Sequence, residues 1–233
     1  MPNKKSTMQI IAYLKACLMN VFTVLLIIHI TAGAVALVSG LGASMVKQFS
    51  WPHCWHKRFG TSFFWGMLVI FLTAFPMALL HYNPFLLFIA VFSFYFAYTG
   101  WRYAKNTTGK PAWQDWFAIV AMTVICLLMV VYGAVILMAD DKSGVTLAVL
   151  GLVGMVNAVR NGYSFYTGSF AGKKRIALHA TMMLAGTIAT VTAFVVTNFT
   201  MNPEYVLWLA PTALITPYIV YWNIKLRPQK AQG

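Results

Sequence analysis

Five histidines, His29, His53, His56, His81 and His179, are the residues of this sequence best suited to chemistry. A neutral imidazole binds a metal through one ring nitrogen and exchanges protons near neutrality. Two histidines from separate helices at one depth can clamp a haem iron. Three can hold zinc or copper. His53 and His56 fall within SWPHCWHKRFG, residues 50–60, between two long apolar segments. This stretch reads as a loop, with His53 solvated and His56 at the mouth of the following segment. His179 is placed about one turn inside the sixth segment, so His56 and His179 match best in depth. Their flanks, Arg58, Lys174 and Arg175, suit the propionates of a haem.

His29 sits in mid-segment, roughly 16 Å from the boundary near the 50–60 stretch at about 1.5 Å per residue. An ionisable side chain at that depth is costly and marks a functional site by default. The competing reading is a neutral histidine bonded to a Ser, Thr or Asn of a neighbouring helix. A simple site of His29, His56 and His179 is opposed by the greater depth of His29. Gly33, Ala36 and Gly40 share the face of His29, and Met182, Met183 and Gly186 share that of His179. Small residues admit a flat ring, and they explain close helix packing equally well. His81 reads as an interfacial residue on the opposite side. Asn157 and Arg160 form a second polar cluster, with Arg160 placed to snorkel. Asn20, Asn198 and Asn223 read as interhelical hydrogen-bonders.

These residues need elements to position them. The 233 residues are 60% apolar and only 9% charged. A soluble domain carries about 25% charged residues. The chain therefore reads as an all-α integral membrane protein in the lipid bilayer, a single transmembrane helical domain over 1–233. Its apolar runs are continuous, unlike the alternating strands of a barrel. Seven spans are expected at 16–42, 60–81, 84–104, 115–139, 143–166, 176–199 and 204–225. Lys4 and Lys5 precede an apolar run as in a signal peptide, but Lys15 interrupts and no A-x-A pattern follows, so a retained first helix is expected. The net charge of +13 does not indicate nucleic acid, because no large soluble portion exists to bind it.

Thirteen Lys and Arg follow odd-numbered spans or lie in the C-terminal tail, against four on the other side. This bias predicts the N-terminus outside and the C-terminus in the cytoplasm. The histidine-bearing membrane half reads as free of acidic residues, which opposes a carboxylate-based hydrolase or proton pump. Cys17, Cys54 and Cys126 form no CxxC motif or disulfide framework; Cys17 and Cys126 read as packing residues.

HITAGAVALVSG at 29–40, HKRFG at 56–60, FSFYFAYTGWR at 92–102, HATMMLAGTIATVTAFVVTN at 179–198 and LWLAPTALITPYIVYW at 207–222 occur in this order. Together they resemble a bacterial family of multi-pass membrane proteins of unknown function. The resemblance implies the bacterial inner (cytoplasmic) membrane and polar family positions at His29, His56, Arg102 and His179. It also implies an acidic residue in the fifth span, where this chain has Asn157. The HK-x-x-G opening of a span is similar to haem membrane proteins such as cytochrome b561 and haem A synthase, an analogy across folds.

The leading expectation is a histidine-lined site near the cytoplasmic side. It has His56, His179 and His29, with Arg58 and Arg175, as the residues for haem b and transmembrane electron transfer. The same three histidines are the candidates for zinc or copper, and a chain with no cofactor is also an open reading. The alternatives are a non-catalytic accessory or assembly subunit with membrane-protein partners, a metal-dependent membrane enzyme, or a small-molecule transporter. The residues do not decide whether the chain is an enzyme.

Overall fold

The computed structural model describes residues 4–168 and 170–226, with only the backbone of 4–12, 14 and 15. Arg227 and Lys230, counted in the charge bias, lie outside the described residues. Seven helices follow one another: α1 Lys4–Gln48, α2 His53–Leu80, α3 Pro84–Lys105, α4 Trp113–Met138, α5 Ser143–Tyr166, α6 Gly172–Asn198 and α7 Tyr205–Lys225. All seven are long and apolar enough to cross a membrane.

Three expected boundaries move by six residues or more, and α1 begins at Lys4, twelve residues before 16. α1 continues six residues past 42 to Gln48, and α2 begins seven residues before 60 at His53. Apolar composition ends near the edge of a bilayer, but backbone hydrogen bonding does not have to. Lys47 and Gln48 are good helix formers. Pro52 is extended at φ −52° and ψ 134°, and precedes the first helical residue. The SWPHCWHKRFG stretch is thus a short turn followed by the opening of α2, with Ser50 in left-handed conformation at φ 54°. His53 is a helical residue, not a loop one.

The turn between α1 and α2, the α3–α4 and α5–α6 connectors and the end of α7 share one end of the bundle. That end carries Lys47, Lys57, Arg58, Arg102, Lys105, Lys110, Lys173, Lys174, Arg175 and Lys225, and is the basic end below. The opposite end carries Asp140, Asp141 and Glu204. α1 packs on α2, α4 on α5, and α3 on α6; α6 also meets α1 and α7. The largest core cluster joins α3, α4, α5 and α6 through Tyr95, Phe96, Tyr103, Met122, Met129 and Met182.

Small residues set these helix distances. A Cβ on Gly144 of α5 would run into the carbonyl oxygen of Gly133 on α4, and into Leu137 at 2.9 Å. A Cβ on Gly100 of α3 would stand 3.0 Å from the backbone nitrogen of Met183 on α6. Ala36 and Gly40 of α1 are likewise covered, by Gly66 of α2, and by Thr187 of α6 with Phe63 of α2. Such close approach strengthens packing where lipid offers no hydrophobic drive between helices. Gly144→Val should therefore lower the thermal midpoint of the detergent-purified protein, by a destabilisation of about 1–3 kcal/mol. An unchanged midpoint would show that α4 and α5 do not meet in this way.

Candidate functional site

The site is built on the last two turns of α3. The Gly100 carbonyl faces α6 because glycine lets that helix approach, and it accepts a hydrogen bond from His179 Nδ1 at 2.8 Å. On the facing side, His56 Nδ1 donates to the Ala43 carbonyl of α1 at 3.2 Å. A carbonyl only accepts, so in both rings Nδ1 carries the proton and Nε2 keeps its lone pair. This is the arrangement metal-ligating histidines use, with one nitrogen held by a backbone carbonyl and the other free to bind. Both rings are half-buried. Their centres are 6.2 Å apart and their planes cross at 86°.

His53 joins this pair, which the reading of residues 50–60 as a loop missed. One helical turn before His56, its ring stacks on the His56 ring at 5.8 Å and 22°. Lys47 Nζ lies 3.4 Å from His53 Nδ1. An ammonium only donates, so Nδ1 accepts and the proton of His53 sits on Nε2, the opposite tautomer to its two neighbours. The signal for this contact is the i, i+3 spacing, visible once residues 53–56 are read as helix.

His29 lies elsewhere. Its Nδ1 is 2.9 Å from Thr73 Oγ1. The Thr73 hydroxyl gives its proton to the carbonyls of Val69 and Ile70, at 2.7 and 3.0 Å. His29 Nδ1 is therefore the donor, and its Nε2 is also unprotonated. At about 1.5 Å per residue, Thr73 stands roughly 30 Å from the start of α2 and roughly 10 Å from its end. The expectation that His29 shares the membrane half of His56 and His179 is corrected: it belongs to the other half. The bond to a threonine of the neighbouring helix follows the plainer of its two readings. His81 lies at that same opposite end, its ring edge-on to Phe22 at 4.3 Å.

The arginines are largely used by the fold. Arg175 Nη1 donates to the carbonyls of Tyr103 and Ala104 at 2.8 and 3.0 Å, closing the C-terminus of α3, where a cation is favoured. Arg58 is exposed and lies over the Trp55 ring at 5.4 Å. Arg102 forms a two-pronged ion pair with Asp115, Nε to Oδ1 at 2.6 Å and Nη2 to Oδ2 at 2.8 Å. Asp115 is 3% exposed and also accepts from the Ala112 amide at 2.8 Å. The basic end is therefore not free of acidic residues: Asp115, in the first turn of α4, is buried there because Arg102 neutralises it.

A second buried polar node also escaped the sequence reading. Asn161 of α5 is fully buried; it accepts from Tyr103 Oη at 3.0 Å and donates to Tyr95 Oη at 2.8 Å. Its neighbour Asn157 bonds its own helix at Val153, and Arg160 is exposed. Asn161 falls on the face of Gly151, Gly154 and Ala158, and that small-residue face was the signal for it. Of the asparagines expected between helices, Asn223 pairs with Thr181 of α6 and Asn198 bonds its own helix at Phe194. Asn20 is exposed. Cys17 is exposed rather than packed, and Cys126 is buried.

Three tests bear on a ligand. Among the described residues, no group of three His, Cys, Asp or Glu side chains is placed to hold a metal ion. A metal lies about 2 Å from a ligating nitrogen and roughly 3 Å from the ring centre, so two rings that shared one ion would have centres at most about 6 Å apart. The 6.2 Å of His56 and His179 suits that pairing. Of Gly33, Ala36 and Gly40, considered as a bed for a flat ring, the last two are filled by neighbouring helices, and Gly33 alone has open space beside it. No family model matches the chain, and neither a curated protein nor a solved structure matches it.

Asp115→Ala should destabilise the purified protein more than Asn157→Ala does. It leaves Arg102 without its partner, and breaking a buried pair costs about 3–5 kcal/mol, less where one partner is partly exposed as Arg102 is. Asn161→Leu should cost about 1–3 kcal/mol by stranding the Tyr103 and Tyr95 hydroxyls. Thermal unfolding in one detergent compares all three; a ranking with Asn157→Ala as the most damaging would contradict these partner assignments.

Proposed function

We propose that this chain is a multi-pass protein of the bacterial inner membrane that carries electrons through a b-type haem held between His56 and His179. The observation that carries this reading is the 6.2 Å pairing of two imidazoles, each with Nδ1 committed to a backbone carbonyl and Nε2 therefore unprotonated. A bound haem would supply a one-electron iron centre. The chain's own part is to fix both ring orientations through Ala43 and Gly100. His29, in the other membrane half, stays outside this site.

Charge separates haem from a bare ion. Lys47 lies beside His53, Lys57 and Arg58 follow His56 in α2, and the carboxylate of Asp115 is taken by Arg102. Bare zinc or copper would meet these cations with two imidazoles and no carboxylate. A haem brings two carboxylates of its own, which such a field favours. Of the small residues offered to a partner, Ala36 and Gly40 are covered by the chain's own α2 and α6, while Gly33 stays open, so the accessory-subunit reading keeps only that part of its face. On the charge bias, the basic end and the C-terminus face the cytoplasm.

Purified protein should show a Soret band. His56→Ala and His179→Ala should each abolish or strongly reduce haem retention, while His53→Ala keeps most of it. A wild-type protein with neither haem nor bound metal would end this proposal, and loss in His53→Ala alone would move the ligand to His53. A cytoplasm-active reporter fused after Lys230 should work and a periplasm-active one should stay silent. The reverse pattern would place the site on the other side of the membrane.

A further inference from the structure

A different kind of site stands at the end of the bundle away from the histidine pair. The end of α6, the 199–204 connector and the first turn of α7 border a cavity of about 420 Å³. Phe199, Thr200, Asn202, Glu204 and Trp208 are among its lining residues. That volume is within the range of small-molecule sites, roughly 300–1,000 Å³. Glu204 and Trp208 are four residues apart, one helical turn, so carboxylate and indole share a face. Phe85 of α3 meets the Trp208 ring edge-on at 4.8 Å and 76°, which limits its rotation.

The electrostatics select the sign of the ligand. No Lys or Arg lines the cavity. Among the described residues Glu204 has no ion-pair partner. Asp140 and Asp141 lie at the same end, but Lys142 with Lys4, Lys5 and Lys15 of α1 offset them, so the negative charge that counts is the one in the cavity lining, Glu204. The N-terminus of α7 acts the other way with about half a positive charge, less than the full charge of Glu204.

We infer that this cavity binds an alkylammonium group. Its three N–H donors match the Glu204 carboxylate, the Thr200 hydroxyl and the Asn202 amide oxygen, and its charge suits the face of an indole. The group can arrive on the headgroup of an aminophospholipid or as a free amine from water. This inference does not depend on the reading of His56 and His179.

Calorimetric titration of ethanolamine into the detergent-purified protein tests it. Wild type should bind saturably, Glu204→Gln about tenfold more weakly, and Trp208→Leu about threefold more weakly. Glu204 is exposed, so Glu204→Gln should keep its thermal midpoint and read binding alone. Native mass spectrometry separates the sources. Retention of phosphatidylethanolamine over phosphatidylglycerol, lost in Glu204→Gln, identifies the lipid; saturable ethanolamine binding without such retention identifies the free amine. No saturable binding to wild type, or equal binding by Glu204→Gln, would overturn the assignment.

Discussion

The hydrogen bond from His179 Nδ1 to the Gly100 carbonyl holds the candidate site together. It requires α6 to lie close to α3, which the missing side chain of Gly100 permits. It fixes the tautomer of His179 and turns the other nitrogen away from the helix it binds. The same stretch of α3 takes two further contacts. Arg175 closes its last carbonyls and Arg102 ties it to Asp115 of α4. The end of α3 is therefore anchored to α4 and α6 at once, and a ring bonded to it is held in a fixed place.

Charge at the basic end divides between two tasks. Arg102 and Arg175 are committed to the fold, Arg102 reaching from α3 to Asp115 of α4 and Arg175 holding the last carbonyls of α3. Arg58 stays exposed over Trp55, and Lys225 lies over Trp222 at 4.8 Å at the end of α7. Indole rings with cations beside them suit the boundary between headgroups and hydrocarbon, where Trp is enriched. One set of cations thus fixes helix ends, and the other suits orientation in the bilayer. Lys47 spans both tasks, since it ends α1 and reaches His53.

The seven helices were legible because apolar runs of this length have few other uses. Their ends were less so. Hydropathy reports where lipid would stop, whereas α1 and α2 continue beyond that level, and this carried His53 out of a loop and onto the His56 ring. Pairing His56 with His179 followed from depth alone. The depth of His29 did not survive, because it was counted from a boundary near residue 40 while α1 runs to Gln48. Arg175 was legible as a cation near His179 but not as a cap for α3, because its partners are carbonyls seventy residues away in sequence, which no local pattern marks. Asn161 was hidden by its more conspicuous neighbours Asn157 and Arg160, although the glycines before it marked its face as the buried one.

The central claim is that His56 and His179 would together hold one haem iron. A ferric haem held by both imidazoles would be low-spin, and one held by a single imidazole would be high-spin. Low-temperature electron paramagnetic resonance of the oxidised, purified protein reads this directly. The expected result is a low-spin ferric signal. A high-spin ferric signal, or a spectrum with no haem iron at all, would contradict it.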